Sequence, residues 1–324
     1  MSLNPIDMVV SSIHHTRRTP NGWVSFNAPC CHHRGHNPDT RRRGGLKIED
    51  GAISYSCFNC KFKTGYRVGG VLGLKFRKLM GWVGISDVEI SAAAIQALRS
   101  RQELNSNEAK EVTVIPVGLP NDAVLLDPAI HSEHASYLLS ERGLDTNSYA
   151  YFISQERKLA DRIIIPYIYQ GNIVGYSART IKKDIPHGYP KYVRRIEMPF
   201  VFGQEMQLES YSWVPLVEGE FDAISIGGCA ISGNEVSEEQ ADQLIALKKE
   251  ILVVPDMDRS GSELIQAAID YEWSVSFPEW PTAIKDVNEA VKHYGRLFVT
   301  RHILQTKVSG ALNIRLRQKL FRER

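Results

Sequence analysis

The residues able to do chemistry fall in two places. Glu218 opens Glu218-Gly219-Glu220-Phe221-Asp222-Ala223, directly after the apolar run Val214 to Val217. Asp256-Met257-Asp258-Arg259-Ser260-Gly261 follows a second apolar run, Ile251 to Val254. Two carboxylates about 4 Å apart repel by roughly 4 kcal/mol at an effective dielectric of about 20. Such a gathering is stable when a cation sits among the acids or a proton is shared. Hard oxygen ligands with room for water and phosphate suit Mg²⁺ or Mn²⁺. Glu218, Asp256 and Asp258 are therefore candidate metal ligands and catalytic groups. Asp222 and Asp286 are their supports, or ligands of a second ion.

The other place is thiol-rich. Four of the five cysteines lie between Cys30 and Cys60. Cys57-x-x-Cys60 supplies two thiolates to one tetrahedral Zn²⁺. The other two ligands come from Cys30-Cys31-His32-His33-Arg34-Gly35-His36. Cys30 with His33 repeats the two-residue gap and is the expected pair, with Cys31 or His36 as alternatives. About 70 residues with few helix patterns need a staple, and a structural zinc supplies it.

The elements that must position these groups follow from the pattern. Apolar strand-type runs alternate with helix-type segments at Phe221 to Gly227, Ser237 to Lys249 and Ser260 to Tyr271. That alternation predicts an α/β fold with a parallel, doubly wound sheet, whose ligand site lies beyond the carboxyl ends of its strands. Trp23 to Phe26 reads as a strand, Leu46 to Ile48 with Ala52 to Ser56 as a hairpin, and Arg162 to Tyr169 with Ile173 to Ala178 as another. Ser86 opens a helix to about Leu98, and Asp127-Pro128 starts one running to Arg142, ended by Gly143. Ser274 to Trp280 reads as a strand and Arg301 to Arg324 as continuing helix.

These motifs together resemble a known family. The Glu218 and Asp256 motifs resemble the Toprim domain shared by primases, topoisomerases and some nucleases, and Lys285-Asp286-Val287-Asn288-Glu289-Ala290 resembles the third acidic motif of primases. The cysteine region resembles the zinc-ribbon module at the amino end of bacterial and phage primases. Glu141-Arg142-Gly143-Leu144, an Arg before an apolar strand, Arg179 closing a hairpin and Pro190-Lys191-Tyr192 resemble the amino half of the primase polymerase domain, in order. The whole is similar to the stand-alone DNA primases of tailed phages. The resemblance implies that Arg142, Arg179, Lys191 and Tyr192 bind nucleotide phosphates and template. It implies a small zinc-ribbon β domain followed by a polymerase domain with a Toprim parallel sheet. The expected layout is a zinc-binding template-recognition domain with a trailing helix at 1–100 and a linker at 101–113. The first part of the polymerase domain follows at 114–210, the Toprim part at 211–300 and a basic tail at 301–324.

Charge fits a polyanion partner. The chain is nearly neutral at +2, but residues 1–80 carry a surplus of nine basic residues and residues 301–324 a surplus of six. The middle is acidic, as a metal-binding core requires. Trp23, Phe26, Tyr55, Phe58 and Phe62 alternate with Arg34, Arg41, Arg42, Arg43, Lys61 and Lys63, which suits base stacking with phosphate contacts. No apolar run approaches a membrane span and no signal peptide is visible, so the expectation is a cytoplasmic protein of a phage-infected host without a membrane partner. The expected activity is synthesis of short RNA primers on single-stranded DNA from NTPs, beside a replicative hexameric helicase. The alternative is a Toprim nuclease or repair protein with a zinc module.

Overall fold

A computed structural model describes residues 4–107, 117–233, 235–256, 261–281 and 284–322. It divides into two compact units, Met1–Thr113 and Val114–Arg324. The expected Asp258 falls outside the described residues, as do 108–113 of the expected linker.

The first unit is an antiparallel sheet of β1 (Arg17–Arg18), β2 (Val24–Phe26), β3 (Gly44–Glu49), β4 (Ala52–Cys57) and β5 (Lys63–Arg67), in sequence order. Asp50 and Gly51 turn β3 into β4 with φ of 47° and 71°. Positive φ at both central residues matches the right-handed twist of the flanking strands, and glycine adopts it freely. Helices α1 (Pro5–Ser12), α2 (Cys30–His33), α3 (Leu74–Trp82) and α4 (Asp87–Asn107) accompany the sheet. Val9, Phe26, Tyr55, Phe62, Phe76 and Leu79 form its core. Helix α4 extends nine residues beyond the expected Leu98, because Arg99, Arg101, Gln102, Glu103 and Leu104 all favour helix.

The second unit holds two sheets. The antiparallel one runs β10-β9-β8-β7-β6, with β6 Val124–Leu125, β7 Phe152–Ile153, β8 Arg162–Tyr169, β9 Asn172–Thr180 and β10 Tyr192–Ile196. Helix α5 spans Ser132–Tyr137 and widens into a π turn over Leu138–Arg142. It starts later than the sequence suggests. Asp127 Oδ1 accepts from Ala129 N at 2.8 Å, so Asp127 caps a turn instead of the helix.

The other sheet contains β11 (Trp213–Val217), β12 (Cys229–Ala230), β13 (Glu250–Val253) and β14 (Ser274–Ser276), all in parallel pairs, with β15 (Lys307–Val308) antiparallel at one edge. Its helices are α6 (Glu220–Ile226), α7 (Glu238–Ala246), α8 (Gly261–Tyr271), α9 (Val287–Tyr294), α10 (Arg296–Gln305) and α11 (Ala311–Arg322). Strand β14 stops four residues before the expected Trp280, since Pro278 has no N–H for a ladder. The tail is broken too: β15 and Gly310, at φ 86°, separate α10 from α11. The two sheets share one core, in which Tyr167, Phe200 and Phe202 pack near Val217 and Phe221.

Candidate functional site

The thiol site lies in the first unit. The Sγ atoms of Cys30, Cys31, Cys57 and Cys60 all lie within 4.8 Å of one another, and all four residues are buried. Cys30 and Cys60 are 3.3 Å apart, Cys31 and Cys57 3.5 Å. Zn–S bonds of about 2.3 Å place tetrahedral sulfurs about 3.8 Å apart, so this cage fits a thiophilic ion such as zinc after small shifts. The group that the structure brings together differs from the expected pair at one position: Cys31, the alternative, lies in it beside Cys30, Cys57 and Cys60, and the His33 ring stacks on Trp82, ring centres 5.2 Å apart and planes 9° apart. His36 is exposed and outside the group.

The surroundings of the thiols match their task. Asn59 Nδ2 donates to Cys31 Sγ at 3.3 Å, and Tyr55 Oη lies 3.0 Å from Cys30 Sγ. Lys61, at φ 60°, turns the chain so that its N–H reaches Cys57 O at 3.0 Å. The contact with Cys30 pulls the Cys60 thiol down to about 5, helped by the Phe62 N–H and the Arg34 charge. Its partner Cys30 is raised by the same contact and by burial. Lowering one thiol of the pair favours its thiolate, the form that a thiophilic cation binds.

Above the cage runs the basic loop. Asp39 accepts from the backbone N–H groups of Ala28, Arg41 and Arg43 at 2.8, 2.9 and 2.7 Å, and from Arg43 Nε at 2.9 Å. Burial opposes ionisation of Asp39, but these four donors overcome it and hold the carboxyl at about 2. Arg43 Nη1 continues to Asn59 Oδ1 at 2.6 Å, joining the loop to the Cys57–Cys60 turn. Of the candidate stacking rings, Phe26, Tyr55 and Phe62 are core, whereas Phe58 is 74% exposed.

The carboxylate site lies in the second unit. Strands β11 and β13 pair in parallel with Leu216 opposite Val253. Glu218 and Asp256 follow two and three residues later, so they leave neighbouring strands at the same sheet edge. Gly219 fits the turn into α6 because a Cβ there would sit 2.8 Å from Asp222 Oδ2. Asp222 is buried, and Asn288 N donates to its Oδ1 at 2.8 Å. Burial, then the Asp286 charge, pushes the Asp222 carboxyl up to about 8. Asp286 caps α9, its Oδ1 accepting from Glu289 N at 2.8 Å. Among the described residues, no three carboxylates approach within the 4.8 Å that the thiols do.

The cations meet this edge. Arg142 is stacked 4.9 Å from the Phe221 ring, and its Nη1 donates to Asn288 Oδ1 at 3.4 Å. Asn288 Nδ2 returns a bond to Arg142 O at 2.8 Å and reaches Ser225 Oγ at 2.7 Å. Tyr137 Oη accepts from Arg142 Nε and Arg179 Nε, each at 3.2 Å. Tyr192 faces Arg179 across β9 and β10, with that guanidinium 5.0 Å and the Arg194 guanidinium 5.2 Å from its ring centre. Burial and the charges of Arg179 and Arg142 lower the Lys191 ammonium. Buried Arg162 donates to Pro190 O at 2.7 Å and Lys191 O at 3.3 Å, fixing the Lys191 loop from below.

Sequence reasoning passed over four residues here: Tyr137, Arg194, Glu220 and Asn288 as a bridge. Glu220 is fully buried, hydrogen-bonded by Tyr167 Oη at 2.6 Å and paired with Arg194 Nε at 3.5 Å. The one legible signal was the position of Asn288, two residues after Asp286 in the third acidic motif.

The chain is thus an α/β protein with a buried four-thiol cage in one unit and a carboxylate edge facing guanidinium groups in the other. No family model and no curated protein matches its sequence. Solved structures similar to it include the catalytic core of DnaG, at 19% identity over 49% of this chain and 56% of that one, TM-score 0.40. Another is the RNA polymerase domain of Mycobacterium tuberculosis primase DnaG with double-stranded DNA, at 17% identity over 56% and 75%, TM-score 0.44. A third is the primase fragment of the bacteriophage T7 primase-helicase protein, at 15% identity over 86% and 99%, TM-score 0.42. The chain spans little more than half the length of the DnaG catalytic core it matches. No helix among the described residues is long and apolar enough to cross a membrane.

Proposed function

We propose that the chain is a DNA primase of the Toprim type that makes short RNA primers on single-stranded DNA. The observation that carries this reading is the Asn288 bridge. One residue joins the two: the Asn288 side chain donates to the backbone carbonyl of Arg142, a phosphate-type cation, and its backbone N–H donates to Asp222, an acid of the metal motif. An acidic edge alone suits many hydrolases. An acidic edge held against three guanidinium groups and a lysine suits transfer of a nucleotidyl group from a triphosphate.

Glu218, Asp256 and Asp258 would hold Mg²⁺ or Mn²⁺, with Asp222 and Asp286 behind them. An all-carboxylate donor set fits such hard ions, and the proton that Asp222 keeps fits a site that a divalent cation completes. A bound ion would supply neutralisation of charge on the reacting phosphate. Arg142, Arg179, Lys191 and Arg194 would hold the triphosphate in line for attack by a primer 3′-hydroxyl on the α-phosphorus. The new ester bond would form as the bond to pyrophosphate breaks, and Glu218 would take the hydroxyl proton. The four-thiol cage would hold zinc as a staple for the template-reading surface, and α11, with exposed Leu312, Leu316 and Leu320, would serve a helicase partner.

The test is direct. The protein incubated with mixed-sequence single-stranded DNA, NTPs and Mg²⁺ should yield short labelled oligoribonucleotides. Absence of product with and without a replicative helicase overturns the reading.

A further inference from the structure

A cavity of about 370 Å³ opens between the Ile196–Phe200 segment and the end of β12. Tyr167, Arg194, Phe200, Ile231, Ser232 and Gln240 line it. No role described above uses it, yet Ser232 N donates to Glu218 O at 3.0 Å, so its wall is bonded to the residue carrying the first acid.

Tyr167 Oη lies 2.6 Å from Glu220 Oε1 and 3.1 Å from Ser232 Oγ. A phenol has one proton, and the Glu220 carboxylate, paired with Arg194, only accepts. The phenol proton therefore goes to Glu220, the nearer oxygen, and the contact from Tyr167 leaves the Ser232 proton free. The Ser232 hydroxyl keeps a lone pair able to accept a hydrogen bond at the cavity wall. Arg194 supplies donors at the same cavity, and Phe200, stacked on Tyr167 at 5.9 Å with Ile231 beside it, supplies an apolar wall. The backbone adds a second indication. Ser232 holds φ at +54°, a conformation that glycine takes without strain. A serine in that place keeps a hydroxyl that glycine would lose.

An acceptor for a hydroxyl, a cation and a flat apolar wall within one nucleoside-sized space match one ligand class. We propose that this cavity takes the nucleoside part of a ribonucleoside triphosphate, with Ser232 Oγ accepting a hydrogen bond from the ribose 2′-hydroxyl and Arg194 donating to a phosphate oxygen. The assignment rests on the primase reading and deepens it: Ser232 is a specificity residue that separates NTP from dNTP.

The experiment is calorimetric titration of ATP and 2′-deoxy-ATP, with Mg²⁺, into the full chain and into Ser232→Gly and Ser232→Ala. Ser232→Gly relieves the backbone strain, so its thermal midpoint should equal or exceed that of the wild type. The wild type should bind ATP more tightly than dATP. Both variants should lose about 3–10-fold in ATP affinity and little in dATP affinity, one hydrogen bond's worth. An unchanged ATP-to-dATP ratio in a folded Ser232→Gly overturns the pocket. Priming by the wild type with that unchanged ratio would leave the primase reading standing and remove only the pocket. Lost discrimination in a chain that never primes would keep the pocket and remove the primase.

Discussion

Asn288 gives its backbone N–H to Asp222 Oδ1 at 2.8 Å, and with its side-chain bond to Ser225 this joins helix α9 to helix α6 at the carboxylate edge. It stabilises a charge on Asp222, yet burial and the nearby Asp286 charge prevail, and the carboxyl keeps its proton to about pH 8. The native state therefore holds a proton that an unfolded aspartate releases near pH 4. Stability without divalent ions should fall as pH rises from about 4 to about 8. Asp222→Asn accepts the same bond and never ionises. Its thermal midpoint should match the wild type near pH 4 and exceed it by several degrees near pH 8, since each kcal/mol moves a domain of this size by about 2–4 °C. Calorimetry with EDTA across that range measures it. A wild-type midpoint that does not fall relative to Asp222→Asn would refute the assignment. Mg²⁺ should raise the wild-type midpoint at pH 8, and the variant's by less.

The thiol cage makes a separate prediction. Purified protein should carry one Zn per chain by elemental analysis. Cys31→Ser should lose most of it, and His33→Ala should retain it. Retention by Cys31→Ser with loss by His33→Ala would restore the ligand set expected from spacing alone. A structural zinc contributes on the order of 10–16 kcal/mol of apparent binding free energy, so chelation should unfold the first unit.

Cys57-x-x-Cys60 was legible because a tight turn brings residues three apart together. Cys30 and Cys31 are adjacent on a helix of four residues, where neighbours project about 100° apart and seldom share a target. Here both are buried in the one thiol group, and His33 stacks on Trp82, 49 residues away, instead. The strands bearing Glu218 and Asp256 were legible for the opposite reason, since strand and helix periods are local. Glu220 stood in the Glu218 motif with no role of its own. Its burial depends on Tyr167 and Arg194, which arrive from another sheet. Long-range pairing of that kind leaves no mark on the residues nearby.

Tyr137 holds two guanidinium groups through one oxygen, so its hydroxyl is a positioning group. Tyr137→Phe keeps the ring that stacks on Arg142, 5.7 Å away, and releases Arg142 and Arg179. In primer synthesis, KM for NTP should rise about 3–10-fold, as expected for loss of hydrogen bonds to charged groups. kcat should change less. A purely structural tyrosine would lower the thermal midpoint and leave KM alone. Steady-state kinetics at fixed template distinguishes the two.

Phe58 makes the last prediction. An apolar ring 74% exposed on the Cys57–Cys60 turn leaves most of its surface in water. Beside it stand exposed Arg41, Arg42, Lys61 and Lys63, the loop of Arg41 and Arg42 pinned by Asp39 and Arg43. A ring offered to solvent among cations suits an unstacked base with its phosphates. Base–aromatic stacking contributes about 1–3 kcal/mol per base, so Phe58→Ala should weaken binding of a short single-stranded oligonucleotide about 5–150-fold. Zinc content and thermal midpoint should stay close to those of the wild type, because most of the ring lies in solvent. Phe58→Trp should bind at least as well as the wild type. Fluorescence anisotropy at two salt concentrations separates stacking from charge: the Phe58 loss should persist at high salt, whereas Arg42→Ala should matter most at low salt. Equal affinity for Phe58→Ala and wild type at both salts would remove the ring from the template surface.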